Sequence, residues 1–153
     1  MSFSIRRATV ADASIITAHR RAMFEDMRVG TPADLDAMDA QFGPWVTKAL
    51  VSGVYLGWFV TTEQGAIIAG AGVSIEDFPA TPRDQTGRRA YAMNVFTDAA
   101  YRHRGLARRL MQTLLDWCRA NRIQTVALQA SDKGRPLYES LGFKSTNEMR
   151  LKL

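Results

Sequence analysis

The sequence predicts an α/β (α+β) fold, with a mixed, mostly antiparallel sheet of six to seven strands flanked by helices. Apolar residues recur with strand or helix periodicity in the order β-α-α-β-β-β-α-β-α-β. A strand, a long amphipathic helix and a second strand follow one another from Tyr91 to Ala130, which is the pattern of a crossover between two parallel strands. The length of 153 residues suits a single domain over residues 1–153 with one core.

Six segments either alternate between polar and apolar residues or are continuously apolar, as strands are. In four other segments the apolar residues recur at helical spacing. The predicted strands are residues 3–8, 54–61, 66–75, 89–97, 124–130 and 147–153. Thr9 can cap the first helix, and Gly43-Pro44 predicts an interruption of the second. The predicted helices are residues 11–27, 33–51, 106–121 and 135–141.

Composition narrows the class of protein. The hydrophobic fraction of 46% and the charged fraction of 23% are ordinary for a globular domain. No apolar run approaches the roughly 20 residues of a membrane span, and the first residues lack the apolar core of a secretory signal. We therefore expect a cytoplasmic protein without a membrane partner. The single cysteine, Cys118, lies on an apolar helix face and is expected in the core.

The positive charge is local. Residues 83–109 hold seven arginines and two acids, which accounts for the whole formal net charge of +5. This distribution favours a local anion site, with a solvated basic face as the alternative. Binding to nucleic acid is the least favoured interpretation, because no nucleic-acid motif accompanies the charge.

A short basic loop joins a predicted strand to the long amphipathic helix at residues 106–121. Gly105 and the small Ala107 let a ligand approach the backbone, and the amides that open the helix point to one spot. A phosphate-rich ligand is the natural occupant. The expected contacts come from Arg102, His103, Arg104, Gly105, Leu106, Ala107 and Arg108.

The loop and a later segment together resemble a known family. The stretch TDAAYRHRGLA and the later LYESLGF resemble the acetyl-CoA-binding core of the GCN5-related N-acetyltransferases, the GNAT family. That family's loop is Q/R-x-x-G-x-G/A, which Arg102, Gly105 and Ala107 match, and Tyr138 stands at the tyrosine of the second motif. The resemblance is specific from Arg89 to Phe143 and only topological before it.

The resemblance implies acetyl-CoA as cosubstrate, no metal, and a primary amine of a small molecule or peptide as acceptor. The basic loop would hold the pyrophosphate of coenzyme A. Backbone groups of Val95, Phe96 and Thr97 would pair with the pantetheine arm. Ser131 stands where many relatives have a cofactor-contacting asparagine. Since many relatives dimerise, a homodimer is also compatible with the resemblance.

Tyr138 resembles the family's general acid, which protonates the leaving thiolate; the alternative is a packed core tyrosine. A general base is harder to assign. The strand before the loop offers Asn94, which cannot accept a proton at neutral pH. The acids Glu76, Asp77, Glu25 and Asp26 are candidates, each with the alternative of a solvated surface acid. A base acting through water, or no dedicated base, also remains open.

Several other features of the sequence give weaker indications of function. Gly70-Ala71-Gly72 lacks the third glycine of a dinucleotide fingerprint and lies in a strand. His19 and His103 are isolated, so no metal site is predicted. Four aromatic residues either line an acceptor pocket or belong to the core: Trp45, Tyr55, Trp58 and Phe59.

These observations favour an acetyl-CoA-dependent N-acetyltransferase that moves acetyl directly to an amine. The absence of an acid beside Asn94 supports an alternative, a non-catalytic acyl-CoA-binding or regulatory module on the same fold.

Overall fold

The computed structural model describes all 153 residues as one sheet with helices on both faces. Its strands are β1 (Phe3–Arg7), β2 (Tyr55–Thr62), β3 (Ile67–Asp77), β4 (Arg88–Thr97) and β5 (Val126–Ala127). Its helices are α1 (Ala13–Asp26), α2 (Pro32–Ser52), α3 (Leu106–Ala120) and α4 (Arg135–Ser140). None of these helices is both long and apolar enough to span a bilayer.

The five strands lie in chain order, β1-β2-β3-β4-β5. Neighbours are antiparallel except β4 and β5, which run parallel, and α3 connects them. The predicted mixed, mostly antiparallel sheet and its parallel pair are thus confirmed, with five strands instead of six to seven. β2 is buried along its whole length, because it lies inside the sheet under helices on both faces.

The strand alternation divides the core in two. On one face, the apolar stripe of α3 packs on the sheet, with Leu110, Met111 and Leu114 fully buried. Cys118 lies in this cluster, so its predicted core position is confirmed. On the other face, α1 and α2 pack against Tyr55 and Phe59 of β2. The sheet therefore separates the α3 side from the α1–α2 side.

The predicted interruption of the second helix is wrong. α2 runs unbroken through Pro44, although proline removes one backbone donor. Phe42, Val46 and Ala49 on both sides of the proline are buried against the sheet. Burial of this shared apolar face outweighs the one lost hydrogen bond.

The last predicted strand is also wrong. Residues 147–153 form no ladder, and Met149, Leu151 and Leu153 are exposed. The strand predicted at residues 124–130 shortens to Val126–Ala127. An alternating segment becomes a strand only where a neighbouring strand offers its hydrogen-bonding groups, and this two-residue edge offers very few.

Candidate active site

The two parallel strands diverge after a short contact. β4 and β5 pair only at Ala90–Val126 and Tyr91–Ala127, so the remainder of β4 has no strand on that edge. The half-buried residues Val95, Phe96 and Thr97 lie on this stretch. The predicted pantetheine segment therefore occupies an open sheet edge, at the carboxyl end of a parallel strand, where ligands of α/β sheets commonly bind.

A bulge in β4 reorients Asn94. The register with β3 passes from Gly72–Met93 to Gly70–Phe96, so Asn94 and Val95 share a single opposing residue. Asn94 has a φ of 57°, a left-handed conformation that asparagine adopts more readily than most residues. Its side chain hydrogen-bonds to residues of the α1–α2 face. The bulge thus places a buried amide beside the open edge of β4.

Asn94 is the centre of a buried polar chain. Its Nδ2 donates to Tyr55 Oη over 3.0 Å, and its Oδ1 accepts from Arg20 Nη1 over 2.9 Å. Burial raises the pKa of Tyr55 to about 12, although the Asn94 hydrogen bond and the Arg20 charge oppose the shift. The Tyr55 hydroxyl fits because Gly72 has no side chain; a Cβ there would overlap it. Tyr55 therefore belongs to the apolar core through its ring and to the polar chain through its hydroxyl.

His19 of α1 completes this corner of the α1–α2 face. Its ring lies 4.7 Å from the Phe96 ring and 5.8 Å from that of Phe59, centroid to centroid. Burial lowers the pKa of His19, against the charge of Asp98, so the imidazole is neutral at pH 7. With Tyr55 and Asn94 it lines a small cavity with room for about one water molecule.

From the sequence, His19 and Tyr55 are identified only singly, as an isolated histidine and as a pocket or core aromatic, and Arg20 and the grouping of the three are missed. A signal was present in Gly70 and Gly72, since glycines inside a strand often mark a close approach of another group. A Cβ on Gly70 would lie 3.0 Å from His19 Nδ1. Gly70-Ala71-Gly72 therefore makes room for a polar corner.

The basic loop has the expected shape for an anion. His103 and Gly105 adopt φ values of 62° and 73°, and α3 begins directly after Gly105. A Cβ on Gly105 would face open space. The loop is exposed except for Leu106, which anchors it in the α3 cluster with 2% exposure. The first amides of α3 have no intrahelical partner, so the loop and helix dipole together offer an electropositive cradle.

The arginine side chains of the loop point to other partners. Arg102 Nε donates to the Thr97 carbonyl over 3.1 Å, and its guanidinium pairs with Asp26. Arg108 donates to Ser140 Oγ over 2.7 Å. Arg104 lies over the Tyr101 ring at 5.5 Å. These three side chains are thus engaged within the chain, and the backbone amides of the loop are the groups left free for a ligand.

Tyr138 of α4 shares the α3 cluster with Leu106. It is 9% exposed, its ring centroid lies 6.0 Å from that of Phe143, and it packs closely on Gly134. Burial raises its pKa, and its hydroxyl makes no hydrogen bond within the chain. Tyr138 is therefore protonated at neutral pH, and its hydroxyl is not hydrogen-bonded to any acceptor in the chain.

Ser131 has a local structural role in this arrangement. Its Oγ accepts from the Gly134 amide over 3.1 Å, and its carbonyl oxygen accepts from the Arg135 amide over 2.9 Å. Ser131 therefore holds the turn that opens α4, and through it the position of the Tyr138 helix.

The acids singled out in the sequence do not gather at Asn94. Glu76 pairs with Arg89 across β3 and β4 at 3.4 Å, and Glu25 pairs with Arg21 at 2.9 Å. Asp26 pairs with Arg102, and Asp77 ends β3 in an exposed position. No group of three or more His, Cys, Asp or Glu side chains is placed to hold a metal ion.

The diverging parallel strands, the bulge in β4 and the free amides at the start of α3 agree with the resemblance to the GNAT family noted in the sequence. The model of the Acetyltransferase (GNAT) family matches residues 20–143, and the chain belongs to this family. It is accordingly an N-acetyltransferase. The family uses acetyl-CoA as its donor.

Individual relatives agree with this assignment. Glucosamine 6-phosphate N-acetyltransferase of Trypanosoma brucei brucei is 31% identical over 105 residues, which cover 67% of this chain and 68% of the relative. A GCN5-related N-acetyltransferase from Ralstonia eutropha JMP134 superposes with a TM-score of 0.93 at 29% identity, covering 99% of both chains. A predicted acetyltransferase from Clostridium acetobutylicum, solved with acetyl-CoA, gives 0.89 at 28% identity, covering 99% of this chain and 96% of the other.

Proposed function

We propose that this enzyme moves the acetyl group of acetyl-CoA directly to a primary amine of a small molecule or peptide. The observation that carries the proposal is the open edge of β4 at Val95–Thr97, which leads to the amide cradle at Gly105. An extended pantetheine arm fits the open edge of β4, and a pyrophosphate fits the amides at Gly105.

Donor binding would depend mainly on backbone groups. The amides from His103 to Arg108 would bind the pyrophosphate oxygens, and the open space at Gly105 leaves room for them. Backbone groups of β4 would pair with the pantetheine amides as a further strand would. The gap between the diverging ends of β4 and β5 then holds the thioester near Asn94, where the acceptor amine reaches it.

The chemistry needs no protein nucleophile. The amine lone pair attacks the thioester carbonyl carbon; the C–N bond forms, the C–S bond breaks, and the electron pair leaves on sulfur. Tyr138 would give its proton to the thiolate, because its hydroxyl is protonated and has no competing partner in the chain. Cys118 is unsuited to covalent catalysis, since burial raises its pKa to about 11.

The amine must lose a proton, and His19 is the best-placed acceptor. It is the one uncharged imidazole beside Asn94, whereas Glu25 and Asp26 are held in ion pairs by Arg21 and Arg102. The lowered pKa leaves one ring nitrogen of His19 unprotonated at neutral pH, and this nitrogen would accept the proton directly or through one water.

The experiment is an amine panel. The purified chain is incubated with acetyl-CoA and amino acids, polyamines, aminoglycosides, peptide N-termini, glucosamine and glucosamine 6-phosphate, the last because it is the named substrate of the trypanosomal relative. Free thiol release and the mass of the acetylated amine are both measured. Amine-dependent release with an acetylated product supports transfer. Slow hydrolysis with no amine accepted would instead indicate the non-catalytic acyl-CoA-binding module.

A further inference from the structure

Arg20 is a half-buried cation beside the acceptor side of the site, and its Nε is fully buried. Its guanidinium lies over the rings of Phe42 at 4.7 Å and Phe24 at 5.2 Å. Its one hydrogen bond goes from Nη1 to the neutral Asn94 amide, and Nε is buried without any partner. A buried cation is costly unless an anion and hydrogen bonds compensate it, and Arg20 has no carboxylate partner.

The neighbouring arginine shows that acids are available nearby. Arg21 makes three ion pairs, with Glu25 at 2.9 Å and with Asp36 and Asp39 at 2.8 Å. Asp36 and Asp39 thereby join α2 to α1, and none of the three acids pairs with Arg20 on the sheet-facing side. The missing counter-charge is therefore specific to the position that faces Asn94.

The free part of the guanidinium has a useful geometry. Asn94 occupies Nη1, so the edge formed by Nε and Nη2 remains. This edge presents two parallel N–H groups, which match the two oxygens of a carboxylate or phosphate. Nε is closed to solvent, so pairing of this edge with an external anion requires the guanidinium to shift from its position over the Phe42 ring.

We propose that the acceptor amine carries an anionic group, a carboxylate or a phosphate, that pairs with the Nε–Nη2 edge of Arg20. This inference rests on the proposed function, because it places the acceptor on the α1–α2 side of Asn94. The anion supplies the counter-charge that the chain itself lacks there. The same pairing fixes the amine at a set distance from the mouth of β4.

The test compares matched amines in three proteins. Glucosamine 6-phosphate is paired with glucosamine, and a free amino acid with its carboxamide, in the wild type, Arg20→Gln and the control Arg21→Gln. We expect the wild type to prefer the anionic members. Arg20→Gln should lower the ratio of kcat/KM between the preferred anionic member and its neutral partner about 10- to 100-fold, the value of a hydrogen bond to a charged group. Arg21→Gln should retain the preference.

The two pairs distinguish phosphate from carboxylate as the recognised group. Equal activity on both members of each pair, or an equal loss on both in Arg20→Gln, would overturn the inference; the second result would mean that Arg20 only supports the bulge. Transfer to neutral amines alone would leave the proposed function standing and reject the inference.

A readout independent of turnover covers the case in which no amine is acetylated. With coenzyme A present to fill the loop, inorganic phosphate is compared with chloride at matched ionic strength by thermal unfolding. Phosphate should raise the Tm of the wild type and of Arg21→Gln more than that of Arg20→Gln. Arg20→Lys, which keeps the charge and loses the planar edge, should give an intermediate shift. Equal shifts in all proteins would overturn the inference.

Discussion

Asn94 Nδ2 donates to Tyr55 Oη over 3.0 Å, and this bond ties a bulged, left-handed residue of β4 to the centre of the sheet. The two residues are 39 positions apart in the chain. The bond holds the diverging ends of β4 and β5 in one shape, because Tyr55 is buried in the core, with its hydroxyl in the space that Gly72 leaves free.

Substitution of Asn94 should separate backbone strain from side-chain bonding. Asn94→Ala removes both hydrogen bonds and places alanine at a φ of 57°, so we expect a loss of about 2–3 kcal/mol in the free energy of unfolding. Asn94→Gly loses the same bonds without the strain and should be about 1 kcal/mol more stable than the alanine variant. Urea unfolding measures both. A glycine variant no more stable than the alanine variant would contradict a strained bulge.

The loop glycine offers a second prediction with a matched control. Gly105→Ala puts a Cβ at a φ of 73°, so the loop must distort, and acetyl-CoA affinity should fall about tenfold. Gly65→Ala has a φ of 83°, equally open surroundings and a place in the distant β2–β3 turn. It should lose similar stability and retain affinity. Calorimetric titration with acetyl-CoA measures both, and unchanged affinity in Gly105→Ala would argue against donor binding at the loop amides.

Removal of the Tyr138 hydroxyl should affect chemistry and not folding. The hydroxyl has no partner in the chain, and phenylalanine retains the packing on Phe143, so Tyr138→Phe should unfold at the same urea concentration as the wild type. Turnover should fall about 10²-fold or more, with little change in acetyl-CoA affinity. Steady-state kinetics and titration test this together. Unchanged turnover would remove Tyr138 from the mechanism.

His19 should set the acid limb of the pH profile. Burial lowers the pKa of His19 below the ordinary 6.5. The imidazole is therefore neutral at pH 7 and becomes protonated only when the pH falls through this lowered pKa. A base must be neutral to accept a proton, so kcat/KM should rise with pH through a pKa below 6.5 and then level. In His19→Gln that limb should disappear together with most of the activity. An identical acid limb in the variant would assign it to another group.

Local patterns predicted the donor half of the site, because its determinants lie within a few residues of each other. Gly105 and the amphipathic α3 define the loop by themselves, and the structure confirms the helix after it. Local patterns could not predict that Arg20, Asn94 and Tyr55 lie together. Arg20 is 74 residues from Asn94, and strict alternation assigns Asn94 to the same face as Ala92, which the bulge reverses.

The remaining differences have the same cause, which is tertiary context. Pro44 does not interrupt α2, because buried residues on both sides hold the helix together. Residues 147–153 alternate as a strand does, yet the two-residue β5 gives them no edge to pair with. Periodicity reports which face of a segment is apolar, and pairing decides whether that segment becomes a strand.

Direct transfer within a ternary complex is the central claim, and initial-rate kinetics test it most directly. Thiol release is measured over a matrix of acetyl-CoA and amine concentrations, and the mass of the protein is recorded during turnover. The proposed function predicts intersecting double-reciprocal lines and an unmodified chain of 17.0 kDa. Parallel lines, with a chain heavier by one acetyl group, would contradict it by showing a covalent acetyl-enzyme.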